Sequence, residues 1–280
     1  MSHIRWLGDD DCHHDAIVGG KAASLSRLAS LHTVPPGFAI PALPAGQGSL
    51  PDALAEAIER AYRALGEGCG ASHPAVAVRS SALDEDGADA SFAGQHDTYL
   101  NISGVDAVLD AVHRCVQSAA SSEAMAYRRQ REISVDDIRM AVLVQQLVPA
   151  DVAAVVFSAN PISGSRDEVM INSNWGLGES IVGGIATPDT FVVQKQGLEV
   201  SWRDIARKDR MTIMTAGGTA EIDVPPELQT VSSLDDAQIR EVAQLALMLE
   251  NAVGYAVDVE CAIAANALYL LQCRPITTLG

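Results

Sequence analysis

The sequence is poor in three things, and each scarcity removes a class of function. No apolar run approaches the ~20 residues a helix needs to cross a bilayer. The opening residues, MSHIRWLGDDD, are acidic rather than signal-like, so a cytoplasmic protein without a membrane partner is expected. Basic side chains are few: 19 Lys and Arg stand against 36 Asp and Glu, a formal charge of −17. That balance argues against nucleic acid as a partner, because phosphate backbones are held by basic surfaces. It leaves room for one polyanion held by a few cations with a divalent metal. The cysteines (Cys12, Cys69, Cys115, Cys261, Cys273) show no C-x-x-C spacing and read as reduced thiols. What is present suits a packed interior: 48% apolar residues, a mean hydropathy of +0.12, and 280 residues, enough for one large domain or two intimate lobes.

The chain is organised around residues 75–102, AVAVRSSALDEDGADASFAGQHDTYLNI. Ala75-Val76-Ala77-Val78 reads as a buried strand with Arg79 at its mouth. Ser80 and Ser81, a carboxylate-rich turn (Asp84, Glu85, Asp86, Asp89), Ser91 to Gln95 and Thr98 follow, then a second strand at Tyr99–Ile102. A guanidinium offers a fixed fork of donors, and loop N–H and O–H groups can take the remaining oxygens of a polyphosphate. A surface arginine beside a solvated acidic turn is the bland alternative for any one residue; the ordered set favours phosphate.

Before this stretch, residues 9–15, DDDCHHD, read as a polar surface loop rather than a metal site, since adjacent ligands cannot easily converge on one ion. Gly19-Gly20-Lys21 opens a helix with Leu25, Leu28 and Ala29 at helical spacing. It is not a Walker A loop, because Asp15 stands where that pattern needs glycine. A lysine released from a glycine turn at a helix N-terminus can reach a phosphate, although a GGK turn alone is a weak signal. Val34-Pro35-Pro36-Gly37 ends the helix, Phe38–Ile40 is a strand, and residues 41–50 form a turn-rich linker. Residues 51–66 are an amphipathic helix, with Pro51 near its start and Leu54, Ile58, Ala61 and Leu65 on one face. A further helix follows Gly104, and Arg128, Arg129 and Arg131 suggest a solvated helical face.

Met140 to Pro149 reads as a buried strand running into a connector, and Val152–Phe157, Val169–Asn172 and Pro188–Val193 as further strands. Trp175 to Gly184 is glycine-rich, but Ile181 stands where a dinucleotide fingerprint needs its third glycine. The segment is either an anion-facing loop or a tight turn needing positive φ. Residues 203–232 look loop-rich with weak strands, and Ser233-Leu234-Asp235-Asp236 caps a helix that buries Ile239, Val242, Ala246 and Leu249 and stops at Gly254. Alternation over the closing strands, 256–263 and 268–274, puts Asp258 with Glu260 on one face and Gln272 with Arg274 on one face. For Glu260 to lie opposite Gln272, the connecting loop needs an odd number of residues, three or five. The four side chains would then form either a metal-and-phosphate face or a solvent-facing polar side.

Arg79-Ser80-Ser81-Ala82, Asp89 to Gln95 and Asp97 to Asn101 closely resemble the nucleotide-binding domain shared by phosphoenolpyruvate synthase, pyruvate phosphate dikinase and rifampin phosphotransferase. Lys21 to Leu25 fits that family's GGK-x-A-S-L, with Ala22 in place of the usual glycine; Trp175 to Val182 fits W-G-L-G-E-x-I-V. Asp258-Val259-Glu260 and Gln272 to Thr277 resemble its metal and phosphate end, so the likeness covers nearly the whole chain, with a shorter insert between the lysine and the arginine. The resemblance implies an α+β, ATP-grasp-like fold: one nucleotide-binding domain over 1–280, with lobes 1–144 and 145–280 enclosing a nucleotide cleft. It implies ATP and Mg²⁺ as cofactors. Lys21, Arg79, Thr98 and Arg274 would hold the phosphates, with Lys21, Arg79 and Arg274 stabilising charge in transfer. The backbone at Gln145, Gln146 and Val148 would follow the adenine edge, and Glu260 and Gln272 would hold Mg²⁺.

It also implies dikinase-type phosphotransfer: the β-phosphoryl group of ATP passes to a carrier histidine, leaving AMP and phosphate, and then to a small-molecule acceptor. None of His3, His13, His14, His32, His73, His96 or His113 stands in the T-G-G-x-x-S-H context of that carrier. A stand-alone component is therefore expected, working with phosphohistidine-carrier and acceptor-binding domains supplied in trans. The competing expectations are an ATP-grasp ligase or direct kinase using the γ-phosphate, and a non-catalytic nucleotide-binding subunit.

Overall fold

A computed structural model describes residues 3–46, 48–83, 98–130 and 138–277. The chain divides into two units, Met1–Leu147 and Val148–Gly280, each built on its own antiparallel sheet.

The first unit runs β1 (Arg5–Trp6), α1 (Asp15–Leu28), β2 (Gly37–Pro44), α2 (Asp52–Cys69), β3 (Val76–Ala82), β4 (Thr98–Ile102), α3 (Val105–Ser118), α4 (Ser122–Gln130) and β5 (Arg139–Gln146), with sheet order β1-β2-β5-β3-β4. The amphipathic stripe expected over 51–66 buries as anticipated: Leu54, Ile58, Ala61 and Leu65 of α2 join Val108, Val112 and Val116 of α3. Together they cover a sheet face formed by Phe38, Ile40, Val76, Val78, Val142 and Val144. Buried Tyr62 links this layer to both flanking connections, donating to the Pro74 carbonyl at 2.8 Å and accepting from the Gly104 N–H at 2.9 Å. Ser81, out of phase with Val76 and Val78, accepts from the Ala22 N–H at 3.1 Å, so α1 lies on the opposite face.

Several local expectations are corrected here. Residues 41–44 are not linker; past a bulge they continue β2 and pair Leu43 with Met140 and Pro44 with Arg139. Among the described residues β1 covers only Phe38 and Ala39 of β2, and no other strand pairs with its far side, so Pro41 and Pro44 there forfeit no ladder bond. α1 ends at Leu28, well before the Pro35-Pro36 pair, which instead leads into β2. Cys12 and Arg128, expected on polar surfaces, are both buried. Residues 84–97 and Arg131, and the readings made of them, lie outside the described residues.

The second unit runs β6 (Val152–Phe157), β7 (Glu168–Trp175), α5 (Glu179–Val182), β8 (Asp189–Gln194), β9 (Val200–Asp204), β10 (Arg210–Thr215), β11 (Gly218–Asp223), α6 (Asp236–Val253), β12 (Val257–Ala264) and β13 (Ala267–Pro275). Its main sheet is ordered β13-β12-β6-β7-β8-β9, with β10–β11 a separate hairpin. The directly paired row Val259, Val156, Ile171 and Phe191 is fully buried. α6, which buries Ile239, Val242, Ala246 and Leu249, packs on these strands. Two boundaries differ from expectation. Residues 210–223 form a regular hairpin, which weak alternation in RMTIMT and GTAEID hid. The α6 cap is Asp235 rather than Ser233: its Oδ1 accepts from the Ala237 and Gln238 N–H groups at 2.8 Å each, and Gln238 Oε1 accepts from the Asp235 N–H at 3.0 Å.

Candidate functional site

In the first unit the glycine turn and the arginine strand are locked together. Gly19 breaks α1 with φ 75 and ψ 161, a conformation open to glycine, and a Cβ there would collide with the Ser81 carbonyl. The close approach lets Lys21 Nζ donate to the Ser80 carbonyl at 3.0 Å. It also lets Ser81 Oγ satisfy an N–H near the helix start. Arg79, Ser80 and Ser81 therefore lie inside β3 rather than at its mouth, and both serines are fully buried. The Ser81 hydroxyl is spent on holding α1. Arg79 pairs directly with Thr98 across β3–β4 and with Leu143 across β3–β5, so the pleat puts Arg79 and exposed Thr98 on the face that carries α1.

Gln145 shares that face through its pairing with Ala77, but its side chain is committed: it is 2% exposed and Nε2 donates to the Pro35 carbonyl at 3.1 Å. The Gln146 and Leu147 N–H groups are also used, by the carbonyls of Pro36 and Ala75 at 2.9 Å each. The Val148 carbonyl accepts from the Ala150 N–H at 2.9 Å.

In the second unit the closing hairpin brings the expected four side chains to one face. Glu260 lies opposite Gln272, and Asp258 opposite Arg274. The connection differs from expectation. Only Ala265 and Asn266 form the turn, at φ 49 and 62, and the odd residue is taken up by a bulge between Glu260 and Cys261, where Leu271 is the extra position. Leu271 packs with Tyr269, Ala150, Val148, Ala262 and Ala264 in a small apolar cluster.

Arg274 forks onto one oxygen of Asp258, with Nε at 2.9 Å and Nη2 at 2.8 Å from Oδ2. Oδ1 of Asp258 is buried and has no hydrogen-bond partner among the described residues. Burial pushes the Asp258 carboxyl above its ordinary range; the charge and hydrogen bond of Arg274 oppose that rise and the Glu260 charge adds to it. An acceptor oxygen stranded beside a second carboxylate suits a cation, and Asp258 Oδ1, Glu260 and the Gln272 amide oxygen are the hard oxygen donors that Mg²⁺ takes. Sequence reasoning placed Asp258 on this face without giving it a metal role; an orphaned oxygen leaves no trace in the spacing of residues. Among the described residues, this face included, no cluster of three or more His, Cys, Asp or Glu could hold a metal, so the set rests on two carboxylates and an amide.

The glycine-rich segment is in part a turn that requires glycine: Gly176 has φ 76, and a Cβ there would strike the Thr212 carbonyl. Leu177 N–H donates to that same carbonyl at 2.8 Å, and Asn174 Nδ2 donates to Ser180 Oγ and to the Arg210 carbonyl at 3.0 Å each. β10, in a stretch that reads as loop-rich with weak strands, thus braces this turn.

Fold and site together define a mixed α+β protein with a docked lysine and a buried arginine in one unit and, in the other, a carboxylate–amide–guanidinium face. The family described as "Pyruvate phosphate dikinase, AMP/ATP-binding domain" matches residues 46–280, and the chain belongs to it. It is 43% identical to a probable phosphoenolpyruvate synthase of Methanocaldococcus jannaschii over 83% of this chain and 20% of that protein. It is 40% identical to a rifampicin phosphotransferase of Streptomyces sviceus over 82% of this chain and 26% of that one. A probable phosphoenolpyruvate synthase of Archaeoglobus fulgidus, 34% identical, aligns over 99% of this chain and 42% of its own length, and so takes in the Lys21 segment that the family match leaves out. The chain spans well under half of these relatives. A D-alanine–D-alanine ligase from Bacillus anthracis solved with ATP covers 98% of this chain and 58% of its own at 10% identity, with a TM-score of 0.34, too loose a likeness to bear on the fold. No helix among the described residues is long and apolar enough to cross a membrane.

Proposed function

We propose that this chain is the Mg-ATP-binding component of a dikinase-type phosphotransferase, an ATP-grasp-like module whose phosphoryl acceptor is a histidine on another domain or protein. In the balanced half-reaction, ATP, water and the carrier histidine give phosphohistidine, AMP and phosphate. The phosphoryl group then moves to a small-molecule acceptor. Lys21, Arg79 and Thr98 would take phosphate oxygens, and Arg274 would exchange part of its hold on Asp258 for the same task. Asp258, Glu260 and Gln272 would hold Mg²⁺. That ion, when bound, would neutralise charge on the phosphates.

What remains for the protein is positioning and electrostatic stabilisation by groups carried on α1 and on sheet strands. With the Gln146 and Leu147 N–H groups used within the sheet, the adenine edge would be read by the Gln146 carbonyl and the Val148 N–H, while Gln145 acts as a structural staple.

The observation that carries this reading is the stranded oxygen of Asp258 on one face with Glu260, Gln272 and Arg274. Family membership supplies the nucleotide. The test is to incubate the protein with Mg-ATP and purified phosphohistidine-carrier domains and to resolve the nucleotide products. AMP that appears only with a carrier is expected; ADP alone, or no product with any carrier, overturns the proposal.

A further inference from the structure

Lys208 and Asp189 are both fully buried and lie 2.6 Å apart, Nζ to Oδ1. The hydrogen bonds around them tie several segments together. Lys208 Nζ donates to the Ala206 carbonyl at 3.0 Å, and Asp189 Oδ1 accepts from the Ala206 N–H at 3.0 Å. Asp189 Oδ2 accepts from the N–H and the hydroxyl of Ser233 at 2.7 and 2.8 Å, and Ser233 Oγ lies 2.7 Å from Ser173 Oγ. β7, the start of β8, the link into β10 and the lead-in to α6 therefore meet at one ion pair. Such a pair is a poor source of net stability, because desolvation offsets the attraction; its attested use is to select one arrangement over others.

The arrangement selected here is that of β10. Just beyond Lys208, the Arg210 carbonyl receives Asn174, while the Thr212 carbonyl receives the Leu177 N–H and crowds Gly176. That seam does not hold itself: Asn174 Oδ1 and Thr212 Oγ1 are buried in it without a hydrogen-bond partner among the described residues, a cost that must be offset elsewhere. On the other side of the turn, Trp175 Nε1 donates to the Leu228 carbonyl at 3.1 Å.

We propose that the Asp189–Lys208 pair is a positioning device: it pins the base of β10 so that β10 holds the Trp175–Gly178 turn, taken as the anion-facing loop of the two readings its sequence allows, in the one conformation that would receive a polyphosphate. The purpose rests on the nucleotide reading above; the device itself rests on bonds within the second unit. The experiment compares wild type with Lys208→Met by amide hydrogen exchange without ligand and by Mg-ATP titration.

The expected result is that exchange at the Leu177 amide speeds up by about tenfold or more, while Val242 and Leu249 in α6 keep their protection. Mg-ATP binding should weaken, with adenosine binding unchanged. Unaltered Leu177 exchange in a folded variant overturns the proposal. So does a rise shared equally by α6, which would make the pair a stability element alone. Should Lys208→Met not fold, the Asp189→Asn/Lys208→Met double variant, which leaves no unpaired buried charge, carries the same comparison. Wild-type protein that binds no Mg-ATP overturns the nucleotide reading, whereas the exchange comparison still judges the brace.

Discussion

At Asp258 three influences meet on one carboxyl: burial raises its pKa, Arg274 holds that rise back, and Glu260 adds to it. A group that folding keeps from ionising easily is held there at some cost, so replacing its charge should cost the fold little. Asp258→Asn is expected to leave Tm unchanged or higher while Mg²⁺-dependent ATP binding is lost; a large fall in Tm with binding intact would assign the residue to structure instead. The buried thiols make the opposite kind of statement. Burial lifts Cys12 from 9.0 to about 11, with Asp11 and Asp9 adding to the rise, and lifts Cys261 from 9.0 to about 12. Both stay protonated in the fold where the unfolded chain would ionise. The stability they contribute is thus fully present below pH 9.0 and is lost as pH climbs through their folded values. Urea denaturation from pH 8 upward should show that decline, with a shallower slope in Cys261→Ala.

Among the elements, the closing hairpin shows where sequence reasoning reaches and where it stops. Period-2 alternation was enough to put Asp258 with Glu260 and Gln272 with Arg274, because side-chain phase along a strand is a local property. The compact turn and the bulge were not legible, since an extra residue at Leu271 is decided by the apolar contact it gains with Val148 and Ala150, partners distant in sequence. The same holds for the cap of α6. Ser233 and Asp235 both carry capping side chains, and Ser233 is drawn away by the buried carboxylate of Asp189, a tertiary choice. β10 and β11 pair with each other but alternate weakly, so only backbone pairing reveals them. The turn also leaves an inexpensive improvement. Ala265 sits at φ 49, where a Cβ costs about 1 kcal/mol or more. Ala265→Asn, a residue that tolerates this region, should raise stability by roughly 1 kcal/mol without altering ATP affinity, as a melt and a titration on the same sample would show.

For the molecule as a whole, the resemblance seen in the motifs proved to be family membership, whereas the joint service of Lys21, Arg79 and the hairpin face to one nucleotide stands as a proposal with its own product assay. The family match starts at residue 46, yet β2 (Gly37–Pro44) is hydrogen-bonded to β5 along Gly37 to Pro44, and α1 covers the sheet face beyond it. A boundary drawn from family likeness is therefore not a folding boundary. A fragment trimmed to 46–280 would lose β1, α1 and β2 together, leaving β5 as a raw edge with Leu143 and Ala141 uncovered. Such a fragment is expected to collect in the insoluble fraction while the 280-residue chain stays dispersed, and adding back residues 1–45 as a separate peptide should restore solubility by supplying the missing strand. The oldest habit in protein engineering, cutting where similarity begins, would here remove the lysine together with the strand that shields the middle of the sheet.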